Sequence, residues 1–296
     1  MNNISTFLGY LEHEKRCSPH TLRSYTTDLE HFHAFLEQQG AAVTLLTDPR
    51  LIRSWIVEML GSGLTARSVN RKISALKSYY KYLLREGQIT TNPMSKVLSP
   101  KSPKKLPGFV ERNSMDQLLD EVSFGEDFSG VRNKLIVDLL YQTGMRLSEL
   151  TGLKERDIDL PGLNLRVLGK RNKERIIPFG NPLRESITRY NDLKKDTFCG
   201  MQGTSEYLLV TDKGKKLYPK FVYRVVHTYL SMVTTLSRKS PHILRHTFAT
   251  HMLNEGAELN AIKELLGHSN LAATQVYTHN TFEKLKKAYK QAHPRA

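Results

Sequence analysis

The residues best suited to chemistry in this sequence are a histidine and an arginine three positions apart. They are His242 and Arg245, in the stretch Ser240-Pro-His-Ile-Leu-Arg-His. Ser240 is suited to cap a helix and Pro241 to its first position, so both side chains share a helical face near free backbone N–H groups, which attract anions. An imidazole that moves a proton and a guanidinium that contacts an oxyanion indicate phosphoryl chemistry. A surface helix carrying the pair by chance is equally compatible with this stretch alone.

A second group of reactive side chains follows within a few turns of chain. Gly267 is placed to end a helix, His268 comes directly after it, and Tyr277 lies nine residues further on. Breaking a phosphodiester without a metal requires cations for the extra negative charge, a nucleophile and a proton donor for the leaving oxygen. A tyrosine that attacks phosphorus stores the bond as a phosphotyrosyl ester, so a second hydroxyl can reverse the step.

In this order, the motifs resemble those of the tyrosine site-specific recombinases, and the Xer type most closely. Three further stretches match: Thr143-Gly-Met-Arg-Leu-Ser-Glu-Leu, Gly169-Lys-Arg-Asn-Lys-Glu-Arg and the terminal His293-Pro-Arg-Ala. The resemblance covers nearly the whole chain. Any one motif alone is weak, whereas their joint occurrence in this order is specific.

The resemblance implies a role for each of six residues. Tyr277 is the expected nucleophile and His242 the acceptor of its proton, and Lys170 is the expected acid for the leaving 5′-oxygen. The expected clamp on the phosphate comprises Arg146, Arg245 and His268. Glu149, three residues after Arg146, is placed to hold that guanidinium, while His246 and His251 are interpreted as structural.

The hairpin that contains Lys170 departs from the family pattern at the next residue, Arg171. Hairpins of the family usually read Gly-Lys-Gly-x-Lys, and Arg171 replaces the second glycine here. Loss of that glycine restricts positive φ, although Asn172 is able to take the turn position. Either Lys170 or Lys173 is therefore the acid, depending on the register of the hairpin tip. We predict Lys170.

The overall charge predicts a polyanionic partner. The 296 residues carry a formal net charge of +15. Residues 1–100 hold 12 lysines and arginines against 8 acidic residues, and the remainder holds 32 against 21, so both parts are basic. A protein that binds RNA or acidic proteins would show the same totals, so the charge sets only a class.

Composition also bears on compartment and cofactors. The two cysteines, Cys17 and Cys199, form no C-x-x-C pair, which favours a reduced cytoplasmic protein. The N-terminus lacks the pattern of a signal peptide, and the apolar run that begins at Leu135 is short and contains Asp138, so no membrane span is expected. No H-E-x-x-H motif occurs, and no metal, ATP or other cofactor is expected.

Hydrophobic periodicity and the resemblance together predict a mainly α protein of two domains. Residues 1–98 show four amphipathic helices and are expected to form a SAM-like core-binding bundle. The Pro-rich, basic residues 99–108 are interpreted as an extended linker. Residues 109–296 are expected to form an α+β catalytic domain with a small antiparallel sheet.

Within the catalytic domain, the helix near 131–142 is apolar nearly all round and is predicted to be its buried centre. Strands are predicted at 163–168 and 175–179, joined as a hairpin, with a third at 207–210. The short helix after Thr281 is expected to dock on a neighbouring subunit, as the resemblance implies, and packing on its own domain is the alternative.

One helix of the N-terminal bundle carries a concentration of positive charge. Its basic residues are Arg67, Arg71, Lys72, Lys77 and Lys81. They fit either an ordinary solvated face or a helix laid along a DNA groove, contacting phosphates first. We favour the second interpretation because the resembled family has a DNA-binding domain at this place.

The resemblance implies strand exchange between two double-stranded DNA sites through a Holliday junction, by a tetramer of one recombinase or of two paralogues. Resolution of chromosome or plasmid dimers, with a septal DNA translocase as activator, is the expected role. The alternatives are an integrase of a mobile element, a type IB topoisomerase that reseals the same strand, and a non-catalytic DNA-binding protein descended from a recombinase.

Overall fold

The computed structural model describes residues 2–40, 48–103, 108–169, 174–200, 205–267 and 279–296. The chain divides into two compact units, Met1–Lys105 and Leu106–Ala296, and each has a hydrophobic core of its own. Among the described residues, no helix is both long enough and apolar enough to cross a membrane. The chain is mainly helical, as predicted.

In its described residues, the first unit is a bundle of four α-helices. They are α1 (Asn2–Gly9, continued by a π turn at Tyr10–Glu14), α2 (Pro19–Gln38), α3 (Pro49–Gly61) and α4 (Ala66–Arg85). The side chains of Ser18, Asp48 and Thr65 cap α2, α3 and α4, each accepting a backbone N–H of the first turn. Phe7, Phe32 and Trp55 are buried between the helices, which confirms the predicted bundle.

Lys72 is the exception among the basic residues of α4, because it is buried. Its Nζ lies 3.2 Å from Oδ1 of Asp28, which is buried as well, and 3.2 Å from Nδ1 of His31. The expectation that Lys72 lies on an outer face is therefore wrong, since its position on the helix turns it towards α2. Arg71 also pairs with Asp28 but stays exposed, as do the remaining three, Arg67, Lys77 and Lys81.

The start of the predicted linker lies against the same helix. Nδ2 of Asn70 donates to the carbonyl of Pro100 at 2.9 Å, and Nζ of Lys77 lies 3.4 Å from Oγ of Ser99. Residues 99 and 100 are thus held to α4, while 104–107 lie outside the described residues. The extended linker over 99–108 stays a prediction.

The second unit packs eight helices around a small sheet within its described residues. The helices are α5 (Arg112–Asp116, continued by a π turn at Gln117–Glu121), α6 (Phe128–Thr143), α7 (Leu147–Gly152), α8 (Asn181–Thr197), α9 (Pro219–Val233), α10 (Pro241–Asn254), α11 (Leu259–Leu266) and α12 (His279–Ala292). Helix α6 is buried on nearly every side, which confirms the predicted centre of this domain.

The sheet is antiparallel with the order β1-β2-β3, formed by β1 (Ile158–Asp159), β2 (Asn164–Leu168) and β3 (Glu174–Pro178). The predicted β2–β3 hairpin is confirmed, with Leu165 opposite Ile177. The predicted strand at 207–210 is wrong. Tyr207 and Val210 form only isolated bridges, to Lys154 and Lys216, and neither pairing extends into a ladder with the three-stranded sheet.

Helix α12 packs on its own domain in the single chain described here. Leu285 and Tyr289 are buried, and the guanidinium of Arg295 donates two hydrogen bonds of 2.8 Å to Asp120. The final backbone lies against Gly180, where a Cβ would come within 2.6 Å of the carbonyl oxygen of Arg295. Docking of this helix on a neighbouring subunit stays a prediction.

Candidate active site

A tight corner between α6 and α7 positions Arg146. Helix α6 ends at Gly144, whose φ of +59° is readily adopted by glycine, and α7 starts with Arg146 as its N-cap. Met145 is fully buried between them. The glycine turn and the buried Met145, which both precede the arginine, therefore fix its direction. The side chain of Arg146 is about 31% exposed.

Glu149 holds that arginine, as its spacing predicted. Oε1 of Glu149 accepts Nη1 of Arg146 at 2.8 Å, and Oε2 accepts the backbone N–H of Arg146 at 2.7 Å. The same carboxylate accepts Nη1 and Nη2 of Arg175 at 2.7 and 2.8 Å. Burial by itself raises the pKa of Glu149, but these hydrogen bonds and the charge of Arg175 outweigh it and hold the pKa below its usual range.

Arg175 is the residue that the sequence argument missed. It lies on β3 and is 3% exposed. Besides its two bonds to Glu149, its Nε donates to the carbonyl of Leu265 at 2.7 Å. A signal was present, because alternation along the strand places Arg175 on the same inward face as Ile177, and a buried guanidinium requires a partner.

Helix α10 carries the other predicted pair. Ser240 is its N-cap residue and Pro241 its first residue, as predicted, although the side chain of Ser240 makes no capping bond. His242 is exposed at this end of the helix. One turn on, Nη1 of Arg245 donates to the carbonyl of Gly144 and Nη2 to that of Leu266, both at 2.7 Å.

Three arginines from three different elements meet at the C-terminal end of α11. The carbonyls of Leu265 and Leu266 accept Arg175 and Arg245, and that of Gly267 accepts Nη2 of Arg146 at 3.0 Å. Carbonyls at the end of a helix lack intrahelical partners and carry partial negative charge, so they are natural acceptors for guanidinium groups.

The backbone at Gly267 suits this crowded arrangement. Its φ is +64°, and a Cβ there would lie 3.1 Å from Cδ of Arg175. A larger residue would therefore be strained and would press on the arginine. The predicted helix end at Gly267 is confirmed, with a physical reason that the sequence did not reveal.

The cluster has more positive than negative charge. Three guanidiniums surround the single carboxylate of Glu149. Burial, together with the positive charges of Arg146 and Arg175, lowers the pKa of Arg245 to about 10, so this guanidinium remains charged at neutral pH. Because Arg146 and Arg245 keep part of their surface accessible, the surplus charge is available to an anion such as a phosphodiester.

Three of the six predicted site residues, Lys170, His268 and Tyr277, lie outside the described residues, as does the alternative acid, Lys173. The described chain brings Arg146 and Arg245 together at the end of α11, and the exposed His242 lies one turn before Arg245 on α10. In the sequence, Lys170 falls between β2 and β3, and His268 directly follows Gly267.

The two histidines interpreted as structural lie further along α10. Nδ1 of His251 is 2.9 Å from the hydroxyl of Tyr141, and the imidazole is buried, which confirms a structural place for it. His246 is half-buried. Within the described ranges, no group of three or more histidine, cysteine or acidic side chains is arranged to hold a metal ion.

The fold combines a four-helix bundle with a helical domain that holds a three-stranded antiparallel sheet, and Arg146 and Arg245 converge at the end of α11. These features indicate the class of tyrosine recombinases. Residues 109–284 match the phage integrase family, and residues 4–87 match the N-terminal SAM-like domain of phage integrases. The chain belongs to the phage integrase family and is an enzyme that cuts and rejoins DNA.

The similar sequences narrow the class to site-specific recombinases like XerC. The chain is 40% identical to a tyrosine recombinase XerC of Chlorobaculum tepidum, over 99% of this chain and 94% of that protein. It is 41% identical to the XerC of Staphylococcus carnosus, over 100% and 99%. This chain is therefore a XerC-like tyrosine recombinase.

Solved structures share the fold. XerH recombinase bound to palindromic difH substrate matches with a TM-score of 0.71 at 19% identity, over 96% of this chain and 83% of that one. A lambda integrase (75–356) dimer bound to a COC′ core site matches with a TM-score of 0.66 at 19% identity, over 93% and 98%. At such identities the likeness shows the architecture alone.

Proposed function

We propose that this recombinase cleaves DNA through Tyr277, which forms a 3′-phosphotyrosyl ester, with Arg146, Arg245 and His268 clamping the phosphate. His242 accepts the proton of the tyrosine, and Lys170, or Lys173 if the hairpin register differs, protonates the leaving 5′-oxygen. One phosphodiester bond is exchanged for another, so the step needs neither a nucleotide nor a redox partner.

The observation that carries this assignment is the convergence of Arg146 and Arg245. Their guanidiniums are held by the adjacent carbonyls of Gly267 and Leu266, directly before His268 in the sequence. Two fixed cations, preorganised by protein contacts and not fully neutralised, suit the two non-bridging oxygens of a phosphate that gains charge in the transition state.

His242 is suited to its role by its position and its exposure. It lies in the first turn of α10, three residues before Arg245, so the two side chains share one face. A proton acceptor needs access to the incoming hydroxyl, and His242 is the exposed member of the pair. Free N–H groups of the same turn add positive potential next to the phosphate.

We further propose that the target is double-stranded DNA carrying a recombination site, bound by a tetramer that exchanges strands in pairs. The net charge of +15 supports a DNA partner, and so do Arg67, Lys77 and Lys81, which remain exposed on α4. Relatives named XerC, aligned over nearly their whole lengths, favour dimer resolution over mobile-element integration.

A nicked suicide DNA substrate tests the chemistry. The unaltered protein is expected to become covalently attached to the DNA, and Tyr277→Phe is expected to bind without attachment. Tyr289→Phe is the matched control and should still form the adduct, because the buried hydroxyl of Tyr289 has no hydrogen-bond partner in the described part of the chain. An adduct in Tyr277→Phe would refute the nucleophile.

The products formed from intact duplexes test the role, because a nicked suicide substrate loses its leaving fragment and can neither reseal nor complete an exchange. Exchanged strands between two substrate duplexes support recombination, whereas an adduct that only reseals its own strand supports a topoisomerase. A footprint of the protein on its host chromosome separates the two biological roles, since protection at one chromosomal locus favours dimer resolution and protection at the ends of a mobile element favours integration.

A further inference from the structure

We propose that Arg175 is a positioning residue for DNA cleavage, which sets the place of Arg146 and the end of α11 at the same time. The proposal rests on the roles proposed for Arg146 and Tyr277. Arg175 is buried and belongs to a strand, so it acts on the reaction through the groups that it holds.

Each of the three nitrogen atoms of its guanidinium donates a hydrogen bond. Nη1 and Nη2 donate to the two oxygens of Glu149 at 2.7 and 2.8 Å, and Nε donates to the carbonyl of Leu265 at 2.7 Å. A planar fork with fixed donor directions is required for this pattern, and an ammonium group on a flexible stem cannot reproduce it.

The two partners of Arg175 belong to the two halves of the site. Glu149, on α7, also binds the backbone and guanidinium of Arg146. Leu265 lies in the last turn of α11, whose next two carbonyls bind Arg245 and Arg146. A shift of Arg175 therefore displaces both the carboxylate that aims Arg146 and the helix end that precedes residue 268.

A purely stabilising role is the competing explanation. Buried ion pairs add little net stability relative to apolar side chains of similar size, because desolvation offsets most of the attraction. The domain offers a comparison in Arg132, which is equally buried and donates to Asp212 at 2.8 Å and to the carbonyl of Val210. None of these contacts of Arg132 reaches Glu149 or α11, so Arg132 has the burial of Arg175 without the coupling.

The experiment compares Arg175→Lys with Arg132→Lys in the full chain. Each folded variant is saturated with the nicked suicide substrate, and the rate constant of adduct formation is measured separately from the dissociation constant. We expect Arg175→Lys to form the adduct about 10- to 100-fold more slowly, because small displacements of catalytic groups cost rates of this order, with a dissociation constant within about threefold of the parent. Arg132→Lys should cleave at the parental rate.

A second measurement needs no catalysis. Amide hydrogen exchange in residues 259–267 reports the opening of α11, and loss of the bond to Leu265 should accelerate it in Arg175→Lys but not in Arg132→Lys. If the unaltered protein formed no adduct, the proposed nucleophile would fail, while this exchange measurement would still decide whether Arg175 anchors the helix.

A cleavage rate within about threefold of the parent in folded Arg175→Lys would overturn the proposal, and so would equal slowing in Arg132→Lys. Unchanged exchange in α11 would overturn it as well. If Arg175→Lys does not fold, Glu149→Gln decides, since it removes the charge shared by both arginines. Slow cleavage together with faster exchange in α11 supports the proposal, because within the described residues the carboxylate reaches α11 only through the arginines that it holds. A parental cleavage rate or unchanged exchange in α11 overturns it.

Discussion

At the scale of single residues, Glu149 shows how one buried carboxylate organises a cationic site. Its two oxygens accept four donors, three from guanidiniums and one from the backbone. The carboxylate therefore stays ionised, as its lowered pKa indicates, and fixes two arginines without neutralising all the charge around it. The remaining positive charge is what a scissile phosphate requires.

His293 is a second buried ionisable residue, and it lies far along the chain from the arginines. Its ring stacks on Tyr289 at a centroid distance of 4.9 Å, with Tyr141 and Phe248 also in contact. Nδ1 accepts the backbone N–H of Arg295 at 3.1 Å. Burial lowers the pKa of His293 to about 3, and the nearby charges of His251 and Arg295 act in the same direction.

We predict that this histidine makes stability depend on pH. Because its folded pKa is below the unfolded value near 6.5, the unfolded chain takes up the proton first, and stability falls as pH drops below about 6.5. Between pH 7.5 and 5.5 His293 should remove about 1.4 kcal/mol from the free energy of unfolding. Urea unfolding at both pH values should show a smaller loss in His293→Phe than in the parent.

His251, whose pKa is also lowered by burial, is present in both proteins and cancels in this comparison. Phenylalanine keeps the stacking on Tyr289, and it removes an Nε2 atom that has no partner among the described residues. An equal loss of stability in parent and variant between the two pH values would contradict the prediction.

At the scale of elements, helix ends do most of the positioning. The end of α6 turns the chain towards Arg146, the start of α10 presents His242 and Arg245, and the end of α11 offers three carbonyls to three arginines. Helix ends suit this purpose because their backbone groups are unsatisfied within the helix. Side chains that satisfy them become fixed in direction.

Gly144 is an element-scale position where substitution should be harmful. A Cβ there would lie 2.5 Å from Cδ1 of Phe248 and 2.9 Å from Cδ2 of Leu266, on a backbone with φ of +59°. We expect Gly144→Ala to lower the free energy of unfolding by about 2–4 kcal/mol, through strain and overpacking together. Denaturant unfolding measures the change.

The matched control is Gly152→Ala, at the end of α7. No heavy atom lies within 4 Å of a Cβ placed there, and φ is not positive. This variant should be neutral or stabilise the protein by up to about 1 kcal/mol, because alanine restricts the unfolded chain. A similar loss in both variants would remove the explanation based on the site at Gly144.

At the scale of the whole molecule, the chain has two hydrophobic cores, and both parts of the chain are basic. The first core contains Phe7, Phe32 and Trp55, and the second is centred on α6. Basic residues outnumber acidic ones in residues 1–100 and in the rest of the chain. When two folded units of one chain bind the same duplex, the second contact is intramolecular and the combined affinity rises.

We predict that residues 1–105 and 106–296, produced separately, each fold cooperatively and each bind duplex DNA more weakly than the full chain. Joining them should tighten binding by about 100-fold or more, because the second contact becomes intramolecular. Calorimetry tests folding, and titration of labelled DNA at several salt concentrations tests binding. Full-length affinity in one unit alone would contradict the prediction.

A feature could be predicted from the sequence when the residues that determine it lie close together along the chain. The β2–β3 hairpin, the start of α10 at Ser240 and Pro241, and the contact of Arg146 with Glu149 were predictable, because they depend on neighbours within a turn or a strand. The strand at 207–210 and the outer face assigned to Lys72 failed. Both depend on which distant backbone or carboxylate is within reach.

The sequence by itself determined the order of the reactive residues, the helical spacing of His242 and Arg245 and the glycine at 267, since these follow from local periodicity and turn chemistry. Only the tertiary structure decided that Arg146, Arg175 and Arg245 meet at consecutive carbonyls, and that Arg175 shares its carboxylate with Arg146. Those contacts join residues 21 to 121 positions apart, and long-range packing, which sequence spacing does not encode, selects them.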